Sequence, residues 1–212
     1  MTAVLSRSRS GRWSSAKRIR SGDRHDLTNQ SSVALGNDGT GVVVWRDWWH
    51  RPQTVRAVTR TTGGRWSRAS TLSDTSARCP ADEGVPRVGV SDAGEIAVAW
   101  RCGNGLLSNQ SVDRTAIHVA LGAGSGAWQK PSELDLLEIP IGKDHSQPAY
   151  VSLELRGIDF DVSGAAHIAY FRTVSADGST AEPERIARRG PSHRSSNLDS
   201  SCNGGDRAVA GP

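Results

Sequence analysis

Apolar positions in this chain fall in short runs separated by Gly- and Asp-containing turns, and the runs recur. Val33–Asp47 reads VALGNDGTGVVVWRD: a short apolar strand, an Asn37-Asp38-Gly39 turn, and a more hydrophobic strand ending at Trp45. Val88–Cys102 repeats it with the same spacing, so that Val33 matches Val88, Gly39 matches Gly94 and Trp45 matches Trp100. Ile158–Arg172 is a third copy, with Gly164 at the turn and Tyr170 in the Trp position. Val42-Val43-Val44-Trp45 is apolar at every position, as a strand buried on both faces should be. Val55-Arg56-Ala57-Val58 and Ile117-His118-Val119 instead alternate, the period of a half-buried strand.

A second repeated element lies between copies of the first. Gly11-Arg12-Trp13-Ser14, Gly64-Arg65-Trp66-Ser67 and Gly126-Ala127-Trp128-Gln129 each follow a Gly- or Ser-rich turn, and each continues Trp-x-x-Ala/Pro-x-x-Ile/Leu. One unit is therefore two hairpins in tandem, the second built on strands such as Thr54–Arg60 or Ala116–Leu121. Four short strands in roughly 50 residues is the pattern of a β-propeller blade. No stretch before about residue 130 carries a helical period, and Ser132–Glu138 is the one place where a single helical turn is expected.

The units predict an all-β chain of about three to three and a half four-stranded antiparallel blades, short of the four to eight that close a propeller. Residues 1–21 read as the second half of a blade, and fuller blades follow at about 28–75, 85–137 and 148–187, the last shortened around Asp177-Gly178. Such a chain is expected to be a partial propeller, a fragment or an open array completed by further blades or another chain. From Arg188 to Pro212 the sequence is rich in Ser, Gly, Arg and Pro and has no apolar period, so a disordered tail is expected.

Composition adds little to this picture. The net charge of +4 is carried almost entirely by arginine, lysine occurring at Lys17, Lys130 and Lys143. A basic run at Arg7, Arg9, Arg12, Lys17, Arg18, Arg20 and Arg24 leaves room for a nucleic-acid-binding module, although a solvated face explains it better. No apolar run approaches the roughly 20 residues of a membrane-spanning helix. The opening MTAVLSRSRSGRW has no apolar core after its basic residues and is not a secretory signal as it stands. Cys79 lies before one predicted strand and Cys102 closes the next, which places both at one end of a hairpin. A Cys79–Cys102 disulfide is thus geometrically reasonable and would imply an oxidising compartment, with two free thiols as the alternative. Cys202 falls in the polar tail.

The repeats resemble those of secreted bacterial β-propellers related to the sialidases. Those proteins carry Asp-box hairpins of the form Ser/Thr-x-Asp-x-Gly-x-Thr-Trp. Thr59–Trp66 keeps the Thr, Gly and Trp of that box but has Thr61 for the Asp; Ser6–Trp13 keeps the Ser and Trp but has Ser8; Leu121–Trp128 keeps the Trp alone. The resemblance implies a propeller architecture over roughly residues 1–172 and an extracellular or cell-surface location, with the cytoplasm as the alternative. It does not carry over the chemistry. A sialidase also needs three converging arginines, a Tyr–Glu nucleophile pair and an acidic general acid, whereas the chain's tyrosines are Tyr150 and Tyr170 and no arginine motif of that family is recognisable.

Two stretches carry candidate chemistry. Arg46-Asp47-Trp48-Trp49-His50 follows a buried strand and puts two adjacent indoles beside charged groups in an expected surface loop. Exposed rings of this kind stack on sugars or bases while polar neighbours orient the ligand. The competing explanation is that Trp48 or Trp49 packs between blades. Asp159-Phe160-Asp161-Val162-Ser163-Gly164 offers closely spaced oxygens at Asp159, Asp161 and Ser163 that would suit calcium, but lacks the later acidic residue of an EF-hand loop. The competing explanation is an ordinary strand and hairpin turn. His118 and His167 sit inside strand patterns, His145 in a loop, and no His/Cys cluster has zinc spacing. The expected function is a non-catalytic binding or scaffold module presenting its loops to carbohydrate or protein. The alternatives are a fragment of a sialidase-like glycoside hydrolase and a basic nucleic-acid-binding module.

Overall fold

The computed structural model describes residues 2–4, 17–20, 30–47, 54–73, 84–103, 112–140, 150–175 and 185–189. The described residues form β-strands joined by turns, in chain order β1 (Thr2–Val4), β2 (Lys17–Arg20), β3 (Ser31–Leu35), β4 (Gly41–Asp47), β5 (Thr54–Arg60), β6 (Ser70–Thr71) and β7 (Arg87–Val90). There follow β8 (Glu95–Gly103), β9 (Val112–Ala123), β10 (Ser132–Pro140), β11 (Tyr150–Phe160), β12 (Ala166–Ser175) and β13 (Arg185–Arg189). None of the described residues forms a helix long and apolar enough to cross a membrane. The remainder of the polar C-terminal tail lies outside the described residues.

Each sheet is an antiparallel meander: β3-β4-β5-β6, then β7-β8-β9-β10, then β11-β12-β13, with β1-β2 as a separate pair. The three larger sheets stack in sequence, and their first strands β3, β7 and β11 lie side by side. The stacking repeats one interface. The Val42/Val44 face of the first sheet packs on Ile96, Val98 and Trp100 of the second. Ala99, Ile117 and Val119 of the second sheet pack in turn with Leu153, Ile168 and Tyr170 of the third. Trp45, Trp100 and Tyr170 therefore occupy the same face of successive sheets, each buried. Stacked antiparallel meanders of four, four and three described strands, with their first strands adjacent, make the fold a partial β-propeller.

The hairpins owe their shape to a single turn used five times. In the first, Gly36 N–H donates to the Thr40 carbonyl at 2.8 Å and Gly39 N–H to the Gly36 carbonyl at 3.0 Å. The same pair of bonds recurs at residues 91–95, 161–165, 61–65 and 123–127. The fourth residue of each is a glycine with φ between +79° and +87°. This is a three-residue loop whose last position must be left-handed, where a Cβ would clash with the backbone and glycine does not. In the Thr59–Trp66 hairpin the left-handed residue is Gly64, not Gly63, the position matched above to the glycine of the Asp-box form.

The outer hairpins share a register. Ala57 pairs with Ser70 and Arg56 with Thr71; Val119 pairs with Ser132 and His118 with Glu133; Val4 pairs with Lys17 and Ala3 with Arg18. Counted from Trp66, Trp128 and Trp13, these are the same positions, so β1-β2 has the register of the outer hairpins β5-β6 and β9-β10.

Three boundaries differ from the sequence expectation. Ser132–Glu138 is extended in β10 and not a helical turn, because nearly every residue from Ser132 to Pro140 finds a cross-strand partner on β9. The segment after Arg172 contributes β13 as a third strand on β12, with Ile186 opposite Ala169. Arg188 and Arg189, placed in the tail by composition, are held in β13 opposite His167 and Ala166, since backbone pairing does not require apolar side chains.

Candidate binding site

An antiparallel meander sends its first-to-second and third-to-fourth turns to one end and its second-to-third connection to the other. Here the glycine turns gather at one rim. Asn37 Nδ2 donates to Asp92 Oδ1 at 2.6 Å, and Gly124 N–H donates to the Gly94 carbonyl at 3.3 Å. Second strands β4, β8 and β12 therefore end at the opposite rim, followed by residues 48–53, 104–111 and 176–184.

The end of β4 carries the first of the candidate sites. Arg46 and Asp47, expected in a surface loop, are strand residues paired with Val55 and Thr54. They are buried, at 3% and 2% exposure. The extension follows from the partner strand, because β5 starts at Thr54 and the ladder runs on past Trp45 to meet it. Asp47 Oδ2 lies 3.6 Å from Arg56 Nη1, two positions along β5 from its direct partner, so the carboxylate is charge-paired diagonally across the sheet. Arg46 N–H donates to the Gln30 carbonyl at 3.3 Å, tying the strand end to the chain entering β3. Both residues thus brace the base of the connection to β5. Trp48, Trp49 and His50 lie outside the described residues. Arg101 takes the place of Arg46 in the next sheet and is half-buried.

The Asp159–Gly164 stretch is a hydrogen-bonded turn. Asp161 Oδ1 accepts from the amide and hydroxyl of Ser163 and from the amide of Ala165, and Oδ2 lies 3.0 Å from His167 Nε2. The His167 contact above all, then the Ser163 hydroxyl and the turn amides, hold the Asp161 carboxyl well below the usual carboxylate range. Asp159 is exposed and accepts from the amide of Phe160 at 2.8 Å. These bonds account for Asp161 and Ser163 as turn-forming residues without a cation. Among the described residues no group of three or more His, Cys, Asp or Glu is placed to hold a metal ion.

Other polar groups also serve the fold. His118 stacks on Trp100 with ring centroids 6.0 Å apart, and its Nε2 lies 3.8 Å from Glu133 Oε2. Asp38 accepts from the Thr40 amide and hydroxyl at 2.8 and 2.7 Å. Cys102 is buried and disulfide-bonded; Cys79 lies outside the described residues. Sequence reasoning missed the Asp47–Arg56 and Asp161–His167 pairs. The signal for the second was present, in that a His on the strand leaving a short turn returns toward an Asp at its start.

No family model matches the chain, and no curated protein matches it. Among solved structures it is similar to an endo-arabinase from Bacteroides thetaiotaomicron VPI-5482, at 14% identity and a TM-score of 0.37, over 80% of this chain. The match spans 57% of that structure's chain.

Proposed function

We propose that the chain is a non-catalytic, exported carbohydrate-binding module of β-propeller type, with Trp48, Trp49 and His50 as its binding element on a base braced by Arg46 and Asp47. The observation that carries this is the braced end of β4. Asp47, charge-paired to Arg56 in a buried position, fixes the point from which Trp48-Trp49-His50 departs. A rigid base lowers the entropy lost when the two indoles settle on a sugar ring. His50 supplies a polar group for orientation.

The non-catalytic reading draws support from the carboxylates. Glycoside hydrolysis needs two carboxyl groups roughly 5–10 Å apart flanking the scissile bond. Among the described residues, Asp38, Asp47, Asp92 and Asp161 are instead engaged in turns, a strand end and the join between sheets.

The test is a glycan array on the full chain, followed by calorimetry with the best glycan and with the Trp48→Ala and Trp49→Ala variants. Loss of one stacking ring weakens binding by roughly fivefold to a hundredfold or more, taking stacking at about 1–3 kcal/mol. Absence of any glycan binding, or variants that bind as wild type, contradicts the proposal. Turnover of a fluorogenic glycoside would replace it with the hydrolase alternative.

A further inference from the structure

The first sheet carries an apolar strip that its neighbours cover and it does not. Val33 and Leu35 on β3 are each 68% exposed. Their equivalents Val88 and Val90 on β7 pack against the core formed with the preceding sheet, and Ile158 on β11 does the same one sheet further on. What covers those positions in both cases is the first hairpin of the preceding sheet: Ala34, Val42 and Val44 in one, Gly89 and Ala99 in the other. The approach is close, since a Cβ built on Gly89 would stand 3.0 Å from Ile158 Cγ2.

The second observation is independent. The β1-β2 pair has the register of an outer hairpin, yet among the described residues β1 pairs with β2 alone. In the complete sheets the equivalent strands β5 and β9 also pair with β4 and β8 on their other edge. Among the described residues, the second edge of β1 is unpaired and the strip on β3 is exposed, and these are the two surfaces that one inner hairpin satisfies in each complete blade. Its second strand would pair with β1, and its first would lie along β3.

We propose that the Val33/Leu35 strip is a docking surface for a β-hairpin of this same repeat. That hairpin has a short strand, a three-residue glycine turn, and a second strand with Gly, Ala or Val facing the strip. A second copy of the chain is the poorer fit. The face it would have to offer, on the far side of its third sheet, carries exposed Asp159 and the Asp161–His167 pair, and setting these against Leu35 would bury charge on an apolar surface.

The probe is a synthetic peptide of residues 31–47, titrated calorimetrically into the full chain at concentrations where the peptide alone is monomeric. One-to-one binding is expected, weakened roughly tenfold to a hundredfold by Leu35→Asp, as loss of one buried leucine implies. Val33→Asp should act in the same direction. Val162→Asp, at an exposed apolar residue in the β11–β12 turn, should leave binding unchanged. All three positions are exposed, and far-UV circular dichroism of each variant should match wild type. Absence of peptide binding, or equal binding by wild type and Leu35→Asp, overturns the proposal. So does a wild-type dimer that Leu35→Asp dissociates, which would assign the strip to a second copy.

Discussion

Replacing Trp100 separates two contributions that the fold places in one side chain. Trp100 is 2% exposed and fills the interface between the first and second sheets. A buried indole removes roughly 200 Å² from water, which at about 25 cal/mol/Å² is near 5 kcal/mol, and measured Trp→Ala substitutions in cores cost about 3–5 kcal/mol. Against a total stability of about 5–15 kcal/mol, Trp100→Ala should remove about a fifth or more. The indole N–H is buried without a hydrogen-bond partner among the described residues. Leaving such a donor unpaired costs about 1–3 kcal/mol. Trp100→Phe forfeits part of the ring area, about 1–2 kcal/mol, but also removes the unpaired donor. Its net effect should lie between about 1 kcal/mol destabilising and about 2 kcal/mol stabilising. Urea unfolding followed by far-UV circular dichroism, with unchanged m-values, measures both. If Trp100→Phe proves as costly as Trp100→Ala, the N–H is satisfied and the reasoning fails.

Three further outcomes follow from the same geometry. Gly89→Ala should cost about 1–2 kcal/mol by overpacking Ile158, whereas Gly157→Ala, with nothing within 4 Å of the new Cβ, should be neutral or slightly stabilising in the same urea assay. Asp47→Ala should cost about 2 kcal/mol, below the value for a fully buried pair because Arg56 is 33% exposed. A double-mutant cycle with Arg56→Ala should show coupling of at least about 0.5 kcal/mol; additive effects would mean the pair is not formed. Asp161 has a depressed folded-state pKa, so its stabilising contribution is complete above the ordinary carboxylate value near pH 4 and is lost only as pH falls well below it. Carboxyl NMR titration should find Asp161 still ionised where exposed carboxylates have protonated, and His167→Ala should raise its titration point; an ordinary midpoint would contradict the turn network.

The repeat was legible because two signals agree at each copy. A glycine obliged to be left-handed marks Gly39, Gly94 and Gly164, and a large aromatic six positions later marks Trp45, Trp100 and Tyr170. Strand ends were less legible, since they depend on how far the partner reaches. Arg46 and Asp47 look like loop residues until β5 is seen to begin at Thr54. Ser132–Glu138 mixes acidic and leucine residues in a spacing that suits a helical turn, and only its pairing with β9 makes it a strand. In the candidate sites the residue types were visible but not their engagements. Whether Asp161 faces water, a cation or His167 is decided by a turn geometry that sequence does not specify.

The central claim is that successive sheets stack as blades with their first strands adjacent. Nuclear Overhauser contacts on a methyl-labelled sample test it directly. Cross-peaks are expected between the Trp100 ring and the methyls of Val42 and Val44, and between Gly89 Hα and the Ile158 methyls. Sheets that show their internal cross-strand contacts but neither of these would be folding as independent units, and the partial propeller would be contradicted.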